Sequence, residues 1–169
     1  MTLTVPHTHI VTVPGVSRIE RPASVLFACT RNAIRSPMAE GLLKALHPRR
    51  IYTDSAGVRD GEVDGFAVAV MAELGIDISR HRSKTFDQLE DTYFDLIITL
   101  SPEAQHSAVE LTRTMACDIE LWHTFDPSII EGSREERLAA YRQVRDQLRD
   151  RIRDRFPIEP EDTPPPVAR

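Results

Sequence analysis

Residues 25–40 read V-L-F-A-C-T-R-N-A-I-R-S-P-M-A-E, and the order of residue types here is the strongest indication of the fold in the sequence. Its first four residues form a short, continuous apolar run, as in a strand that is buried on both faces of a parallel sheet. Six residues follow Cys29 as far as Arg35, and then Ser36 and Pro37 open a helix, since proline suits the first helical turn. The stretch is therefore the start of a βα unit, with a loop of residues 29–35 at the end of its strand. We call residues 29–35 the cysteine loop.

Three further apolar runs predict strands at residues 50–53, 94–100 and 119–122. We expect Ser55-Ala56-Gly57 to form a turn that ends the strand at 50–53. Apolar residues at helical spacing predict helices between and after the strands. Three such sets are visible: Met38, Leu42, Leu43 and Leu46; Phe66, Val70 and Leu74; and Leu138, Tyr141, Val144, Leu148, Ile152 and Phe156.

This alternation of strands and helices predicts an α/β fold with three layers, in which helices cover both faces of a four-stranded parallel sheet. Ligands of such sheets bind beyond the carboxyl ends of the strands, which is where the cysteine loop falls. The last helix begins with a capping box at residues 133–136. Its remaining faces carry arginines that we expect to be solvated: Arg137, Arg142, Arg145, Arg149 and Arg153.

Composition and charge exclude several classes of protein. The chain has 169 residues, 41% of them hydrophobic, and a formal net charge of -5, which argues against a partner coated in phosphate such as nucleic acid. No apolar run approaches the roughly 20 residues that cross a bilayer, and no export signal is visible. Two cysteines are too few for a disulfide framework. We expect a cytoplasmic protein with neither a nucleic-acid nor a membrane partner.

Proline marks both ends of the chain. Residues 1–22 contain three prolines and are interpreted as a flexible leader or an edge-strand extension. Residues 157–169 are proline-rich and acidic, and we expect an extended, unpacked tail. The predicted domain is residues 23–156.

The residue types of the cysteine loop suit a bound oxyanion. Backbone N–H groups of such a loop turn inward, Arg35 adds a bidentate donor, and Asn32 tolerates positive φ. A helix N-terminus and nearby cations favour the thiolate form of Cys29, to which Ser36 can donate a hydrogen bond. A nucleophile at the base of an anion cradle predicts phosphoryl transfer through a phosphocysteine, without a metal or other cofactor. The alternative is an inert, buried Cys29 and a surface Arg35.

The pattern C-x-x-N-x-x-R-S-P-M-A-E of residues 29–40 resembles the phosphate-binding loop of the low-molecular-weight protein tyrosine phosphatase family. This family shares its fold with thioredoxin-coupled arsenate reductases. The similarity continues through residues 54–57, 75–79, 94–99 and 125–127 and covers most of the predicted domain.

The resemblance implies roles for the residues that match. Cys29 is the nucleophile, Arg35 binds phosphate, Ser36 tunes the thiolate, and Asn32 and Ser55 brace the loop. The remaining loop positions bind substrate as well: Thr30, Arg31, Ala33 and Ile34.

A leaving oxygen needs a proton donor, and the family takes it from an Asp-Pro loop, which is matched here by Asp126 and Pro127. The alternative is that Asp-Pro only makes a turn before the last helix. Asp91, Asp95 and Asp118 are weaker candidates for the acid, because each precedes a strand and falls at the wrong end of the sheet.

The chain departs from the family pattern at several positions. Arg31 replaces a usual glycine, which would strain a backbone with positive φ. Ile34 stands where many relatives have a protective cysteine, so Cys29 is expected to be open to over-oxidation. Ser128 and Ile129 replace the aromatic residues of tyrosine-specific relatives. Ser101 and Ala108 stand near the places of two cysteines that pass electrons in the arsenate reductases.

The sequence therefore predicts a phosphomonoester hydrolase, a protein tyrosine phosphatase in the first instance, whose substrate is a phosphorylated protein or a small phosphate ester. Phosphate or arsenate is expected as an inhibitor or rival substrate. An arsenate reductase that uses an external thiol, and a phosphate-binding module without catalysis, remain as alternatives. The histidines are expected to be incidental, including the His7 and His9 pair.

Overall fold

The computed structural model of the chain describes residues 9–11, 19–91 and 93–167. A sheet in the strand order β1-β5-β4-β2-β3 forms its centre. The strands are β1 (His9–Val11), β2 (Ser24–Cys29), β3 (Tyr52–Gly57), β4 (Leu96–Thr99) and β5 (Asp118–Leu121). Strands β2 to β5 run parallel, which confirms the predicted four-stranded parallel sheet. Strand β1 adds a fifth, antiparallel strand beside β5, as in the edge-strand interpretation of residues 1–22 rather than the flexible leader.

Four α-helices cover the sheet: α1 (Arg35–Leu46), α2 (Gly65–Ala72), α3 (Pro102–Leu111) and α4 (Arg134–Arg155). Side chains alternate between the two faces along β2. Val25 and Phe27 pack with α1, α2 and α4, whereas Leu26 packs on the other face with Ala108 of α3. This arrangement is the predicted three-layer α/β fold. None of the helices in the described part of the chain could cross a bilayer.

Three helices, α2, α3 and α4, begin at side-chain caps that fix their entry angle. The Asp64 carboxylate accepts hydrogen bonds from the backbone of Phe66 and Ala67 at the start of α2. The Ser133 hydroxyl accepts one from Glu136 N at the start of α4, as expected. The Glu136 carboxylate, however, accepts from the Ser133 hydroxyl, so the predicted capping box lacks its usual return bond to the backbone.

Strand β3 is longer than predicted. The expected turn at Ser55-Ala56-Gly57 is wrong, because these residues continue the parallel ladder as far as the pair formed by Cys29 and Gly57. All three are small and buried, and pairing with β2 overrides their turn preference. As a result, β2 and β3 end side by side at the cysteine loop.

The expectation of a fully solvated arginine face on α4 is wrong at Arg145. Its side chain is buried and donates to the Val70 carbonyl oxygen at 2.8 Å. It also forms an ion pair with Glu73 at 2.7 Å. A buried guanidinium is retained here because a carbonyl and a carboxylate satisfy it.

The tail is not wholly unpacked either. The Asp162 carboxylate lies 2.9 Å from Arg21 and 3.2 Å from Arg50, so the segment after α4 folds back onto the start of the sheet. A short 3₁₀ turn, Pro160–Asp162, presents this carboxylate.

Candidate active site

The cysteine loop lies at the carboxyl edge of the parallel sheet, between the end of β2 and the start of α1. Gly57, at the end of β3, touches its backbone. A Cβ atom at Gly57 would lie 2.7 Å from Asn32 N and 2.8 Å from Arg31 C, so only glycine fits beside the loop. Helix α1 has no side-chain cap, which leaves its first N–H groups free to face an anion.

The loop turns at Asn32, which has a φ of 54°. Within the described ranges it is the sole non-glycine residue with positive φ, as the sequence suggested for asparagine. Arg31 therefore has ordinary φ, and its replacement of the usual glycine strains nothing.

Asn32 also organises the side chains behind the loop. Its amide nitrogen donates to the hydroxyls of Ser36 and Ser55, each at 2.9 Å. Ser36 Oγ lies 2.9 Å from Cys29 Sγ, and since a thiolate has no hydrogen to give, the Ser36 hydroxyl is the donor when Cys29 is ionised. Ser55 in turn donates to the Glu40 carboxylate at 2.7 Å. Two branches of hydrogen bonds thus leave the Asn32 amide, one that reaches Cys29 and one that reaches Glu40.

A second group of contacts, made by residues 81–84, also holds Asn32 in place. The sequence analysis did not predict these contacts. The Lys84 backbone nitrogen donates to Asn32 Oδ1, and the Ser83 hydroxyl donates to the Asn32 carbonyl oxygen. His81 Nε2 lies 3.0 Å from the same Oδ1, and a carbonyl oxygen only accepts, so Nε2 carries the hydrogen. His81 is therefore not incidental. Burial lowers the pKa of His81, opposed by the charge of Glu40, and this keeps the ring neutral at pH 7.

Arg35 is held across the mouth of the loop. It donates to the Thr124 carbonyl oxygen at 3.0 Å and to the Thr30 hydroxyl at 3.4 Å. Thr30 in turn donates to Ser101, the residue that caps α3. The guanidinium is thereby bonded to the segments that follow β2 and β5, on either side of β4.

A cleft of about 270 Å³ opens in front of the cysteine loop. Its lining includes seven of the ten predicted site residues: Cys29, Thr30, Arg31, Ala33, Ile34, Arg35 and Asp126. The other three, Asn32, Ser36 and Ser55, are buried behind it. Gly61, Glu62, Asp64 and Ser128 complete the wall. The fold thus brings Cys29 and Asp126, 97 positions apart by subtraction, into one cavity.

Asp126 is held in place by its own turn. Its Oδ1 accepts from the backbone nitrogen of Ser128 at 3.0 Å and from the Ser128 hydroxyl at 2.7 Å. The competing carboxylates lie elsewhere, since Asp95 and Asp118 bind backbone N–H groups of Ala23 and Ile19 before the sheet.

The second cysteine is remote from Cys29. Cys117 packs on the opposite face of the sheet and precedes β5, whereas Cys29 ends β2. The register places it level with the start of β2, five strand residues from Cys29, which is about 16 Å. A disulfide needs Cα atoms within roughly 7 Å. Burial also raises the pKa of Cys117 to about 11, so this thiol is inert at neutral pH.

Among the described residues, no three His, Cys, Asp or Glu side chains cluster as metal ligands. His123 is exposed beside the cleft, and Trp122 is core, packed on Phe27 at 6.1 Å.

Residues 24–157 match the model of the low molecular weight phosphotyrosine protein phosphatase family, and the chain belongs to this family of enzymes. A relative named arsenate reductase from Halalkalibacterium halodurans is 38% identical over 125 residues, which are 73% of this chain and 88% of the relative.

Solved structures of both kinds share the fold. An arsenate reductase in the oxidized state has a TM-score of 0.64 and 31% identity, covering 78% of this chain and 95% of the other. A low molecular weight protein tyrosine phosphatase from T. tengcongensis has a TM-score of 0.62 and 28% identity, with the same two coverages.

Proposed function

We propose that the protein is a phosphomonoester hydrolase that works through a phosphocysteine. The observation that carries this proposal is the 2.9 Å hydrogen bond between Ser36 Oγ and Cys29 Sγ at the base of the cysteine loop, with Asp126 in the same cleft. A hydroxyl that donates to sulfur stabilises the thiolate, which is the nucleophilic form.

In the first step the Cys29 thiolate attacks phosphorus and the bond to the leaving oxygen breaks. Arg35 and the loop N–H groups hold the non-bridging oxygens, where negative charge is spread in the transition state. Asp126 gives its proton to the leaving oxygen. Because Ser128 occupies Oδ1 of this carboxyl, the proton is assigned to Oδ2.

In the second step a water attacks the phosphocysteine and the S–P bond breaks. Asp126, now ionised, takes a proton from this water, and phosphate leaves. Ser36 again donates to the sulfur as its negative charge returns.

The substrate is proposed to be a phosphorylated protein side chain or a small phosphate ester. The cleft accommodates a phosphoryl group and a compact leaving group, and no aromatic side chain is part of its lining within the described residues. A phosphotyrosine ring would therefore have to stack on the exposed Phe125, beside Asp126, rather than on residues after Pro127.

Two substitutions test the mechanism. Cys29→Ser is expected to abolish hydrolysis of an aryl phosphate, and Asp126→Asn to slow hydrolysis of an alkyl phosphate by about 10²–10⁴. Cys117→Ser is the matched control, since Cys117 lies on the other face of the sheet, and it should keep the wild-type rate. Turnover is followed by phosphate release. Full activity in Cys29→Ser would refute the covalent route, and phosphate binding without turnover in the wild type would favour a binding module.

The names of the relatives favour arsenate reduction as a second candidate. The chain contains only two cysteines, and the cap and the interior of α3 carry Ser101 and Ala108 instead, so a relay of three cysteines within the chain is not available. Reduction would require two external thiols. The first attacks Cys29 Sγ in a Cys29–arsenic adduct, so that the S–As bond breaks, arsenite leaves with the electron pair and a mixed disulfide remains; the second reduces this mixed disulfide, frees Cys29 and forms the external disulfide. Incubation of the Cys117→Ser variant with arsenate and either glutathione or reduced thioredoxin decides the point, because arsenite forms only if this route operates.

A further inference from the structure

The buried Tyr141 of α4 carries a polar group that the proposed mechanism has not yet used. Its side chain has no exposed surface, and its ring packs on Phe66 with centroids 5.3 Å apart. Its hydroxyl makes no hydrogen bond of ordinary geometry with any described residue. Buried hydroxyls without a partner cost stability and are rare in folded proteins.

Two carboxylates of the cleft lie close to this hydroxyl. Burial and then the charge of Asp64 raise the pKa of Tyr141, with Asp126 adding to the effect, so the phenol stays protonated near neutral pH. Asp64 is close enough to interact with the hydroxyl, although the contact lies outside ordinary hydrogen-bond geometry.

In each of the two carboxylates, hydrogen bonds hold one oxygen and the other oxygen is available for a further bond. Asp64 Oδ1 accepts from Phe66 N at 2.8 Å and Ala67 N at 3.2 Å, and Asp126 Oδ1 accepts twice from Ser128. Helix α4 packs against both α2 and the 3₁₀ turn Pro127–Ile129 that follows Asp126. Tyr141 therefore lies on the helix that packs against the two elements carrying these carboxylates.

We propose that Tyr141 is a positioning residue for the general acid, whose hydroxyl donates to Asp126 once that carboxyl has given up its proton. While Asp126 is protonated, the hydroxyl is directed towards the ionised Asp64. After proton transfer it turns to the new carboxylate and separates two like charges. The phenol keeps its own proton throughout, so no further acid or base is consumed. The inference rests on the proposed role of Asp126.

Other charged groups surround Asp126 and are the same in every variant considered below. Arg137 approaches Tyr141 from α4 and opposes the effect of the carboxylates. Arg31 and Arg35 of the cysteine loop, the Cys29 thiolate and Glu62 face the acid across the cleft. When a phosphoryl group is bound, Arg31 and Arg35 donate their hydrogen bonds to it. Tyr141 then remains as the hydrogen-bond donor for Asp126 on the side away from the substrate.

The test is the pH dependence of kcat/KM for hydrolysis of an alkyl phosphate by Tyr141→Phe. This substitution keeps the ring that packs on Phe66 and removes only the hydroxyl. Without the donor, ionised Asp126 is less stable, so the acid stays protonated to higher pH. The basic limb of the profile is expected to move up by about one pH unit, the size of a lost hydrogen bond to a charged oxygen.

Tyr52→Phe is the matched control, because the Tyr52 hydroxyl also donates to a carboxylate, Asp91, at the outer edge of the sheet. Its basic limb should not move. Thermal unfolding separates a positioning role from a structural one. Because Tyr141→Phe removes an unpaired hydroxyl, its unfolding temperature should be unchanged or higher. A lower unfolding temperature together with an unshifted basic limb would overturn the proposal.

Two further variants make the outcome unambiguous. Asp64→Asn keeps a good helix cap and removes the charge that competes with Asp126 for the Tyr141 hydroxyl, so the basic limb should move to lower pH. If the basic limb is unmoved in both Asp64→Asn and Tyr141→Phe, the inference is refuted. Asp126→Asn tests the proposed function separately. If it retains the basic limb, the assignment of the acid fails; if it loses the limb while Tyr141→Phe matches the wild type, only the role of Tyr141 fails.

Discussion

Gly57 is the residue on which the shape of the cysteine loop depends most directly. The Gly57→Ala substitution would place a methyl group 2.7 Å from both Asn32 N and Arg59 O. Since both contacts are backbone atoms, the loop must move. A displacement near 1 Å in a catalytic loop costs about a hundredfold in rate, and we expect a loss of that order in kcat/KM for an aryl phosphate.

Gly65 offers a control for Gly57→Ala. A Cβ atom at Gly65, the first residue of α2, would meet no atom within 4 Å. Gly65→Ala should keep the wild-type rate and unfold at the same or a higher temperature, because alanine favours helix. Equal rates for the two variants would show that the close approach at Gly57 does not shape the loop.

At the scale of single residues, the sequence predicted what is local. Cys29, Arg35 and Ser36 lie within eight consecutive residues, and their spacing between a buried strand and a helix start suggests an anion site. His81 and Tyr141 were not predicted as part of the site, because their partners are distant in the chain. His81 meets Asn32 across 49 positions, and only the folded chain brings them together.

Arg145 joins α4 to the end of α2. Replacing it by methionine keeps the apolar stem but leaves the Val70 carbonyl oxygen without its donor. The free energy of unfolding at pH 7 is expected to fall by about 1–3 kcal/mol. Urea unfolding measures the change, with the exposed Arg153→Met as control, for which a change within about 0.5 kcal/mol is expected. Equal values for the two variants would contradict the role of the buried contact.

The ion pairs of Glu73 with Arg142 and Arg145 depend on pH. Hydrogen bonds from Arg142 and Arg145 lower the pKa of Glu73 to about 2. A carboxyl with a lowered pKa contributes stability that is complete above its ordinary value, near 4.5, and is lost as the pH falls towards 2. The measurement at pH 7 therefore reports the intact ion pair.

The elements that the sequence predicted are those with bulky apolar stripes. Helix α4 shows such a stripe over five turns, and the parallel strands are continuous apolar runs. Helix α3 was not predicted, because it buries only the small side chains Ala104 and Ala108, which give no stripe. The predicted strand ended before the last residues of β3 for a similar reason. These residues are small, and only their pairing with β2 in the folded sheet makes them part of a strand.

At the scale of the whole molecule, β1 covers the edge of the sheet farthest from β3. A chain that starts at Ile19 would lose His9–Val11 and leave the backbone of β5 exposed. Exposed edge strands promote association, so this shortened chain should form dimers or larger species in light scattering at high concentration. Its rate per subunit should match the wild type, because β4 and β5 separate this edge from β2. A monomeric but inactive product would contradict this view.

The ion pairs between Asp162 and the arginines at positions 21 and 50 bring the two limits of the domain together at the amino end of the parallel strands. The cleft opens at the carboxyl end, on the far side of the molecule. A short peptide linker could therefore join residue 162 to residue 21 and close the domain into a circle, with new termini cut in a surface turn and the mouth of the cleft unobstructed. Affinity handles or fusion partners attached at either limit would likewise lie away from the mouth of the cleft.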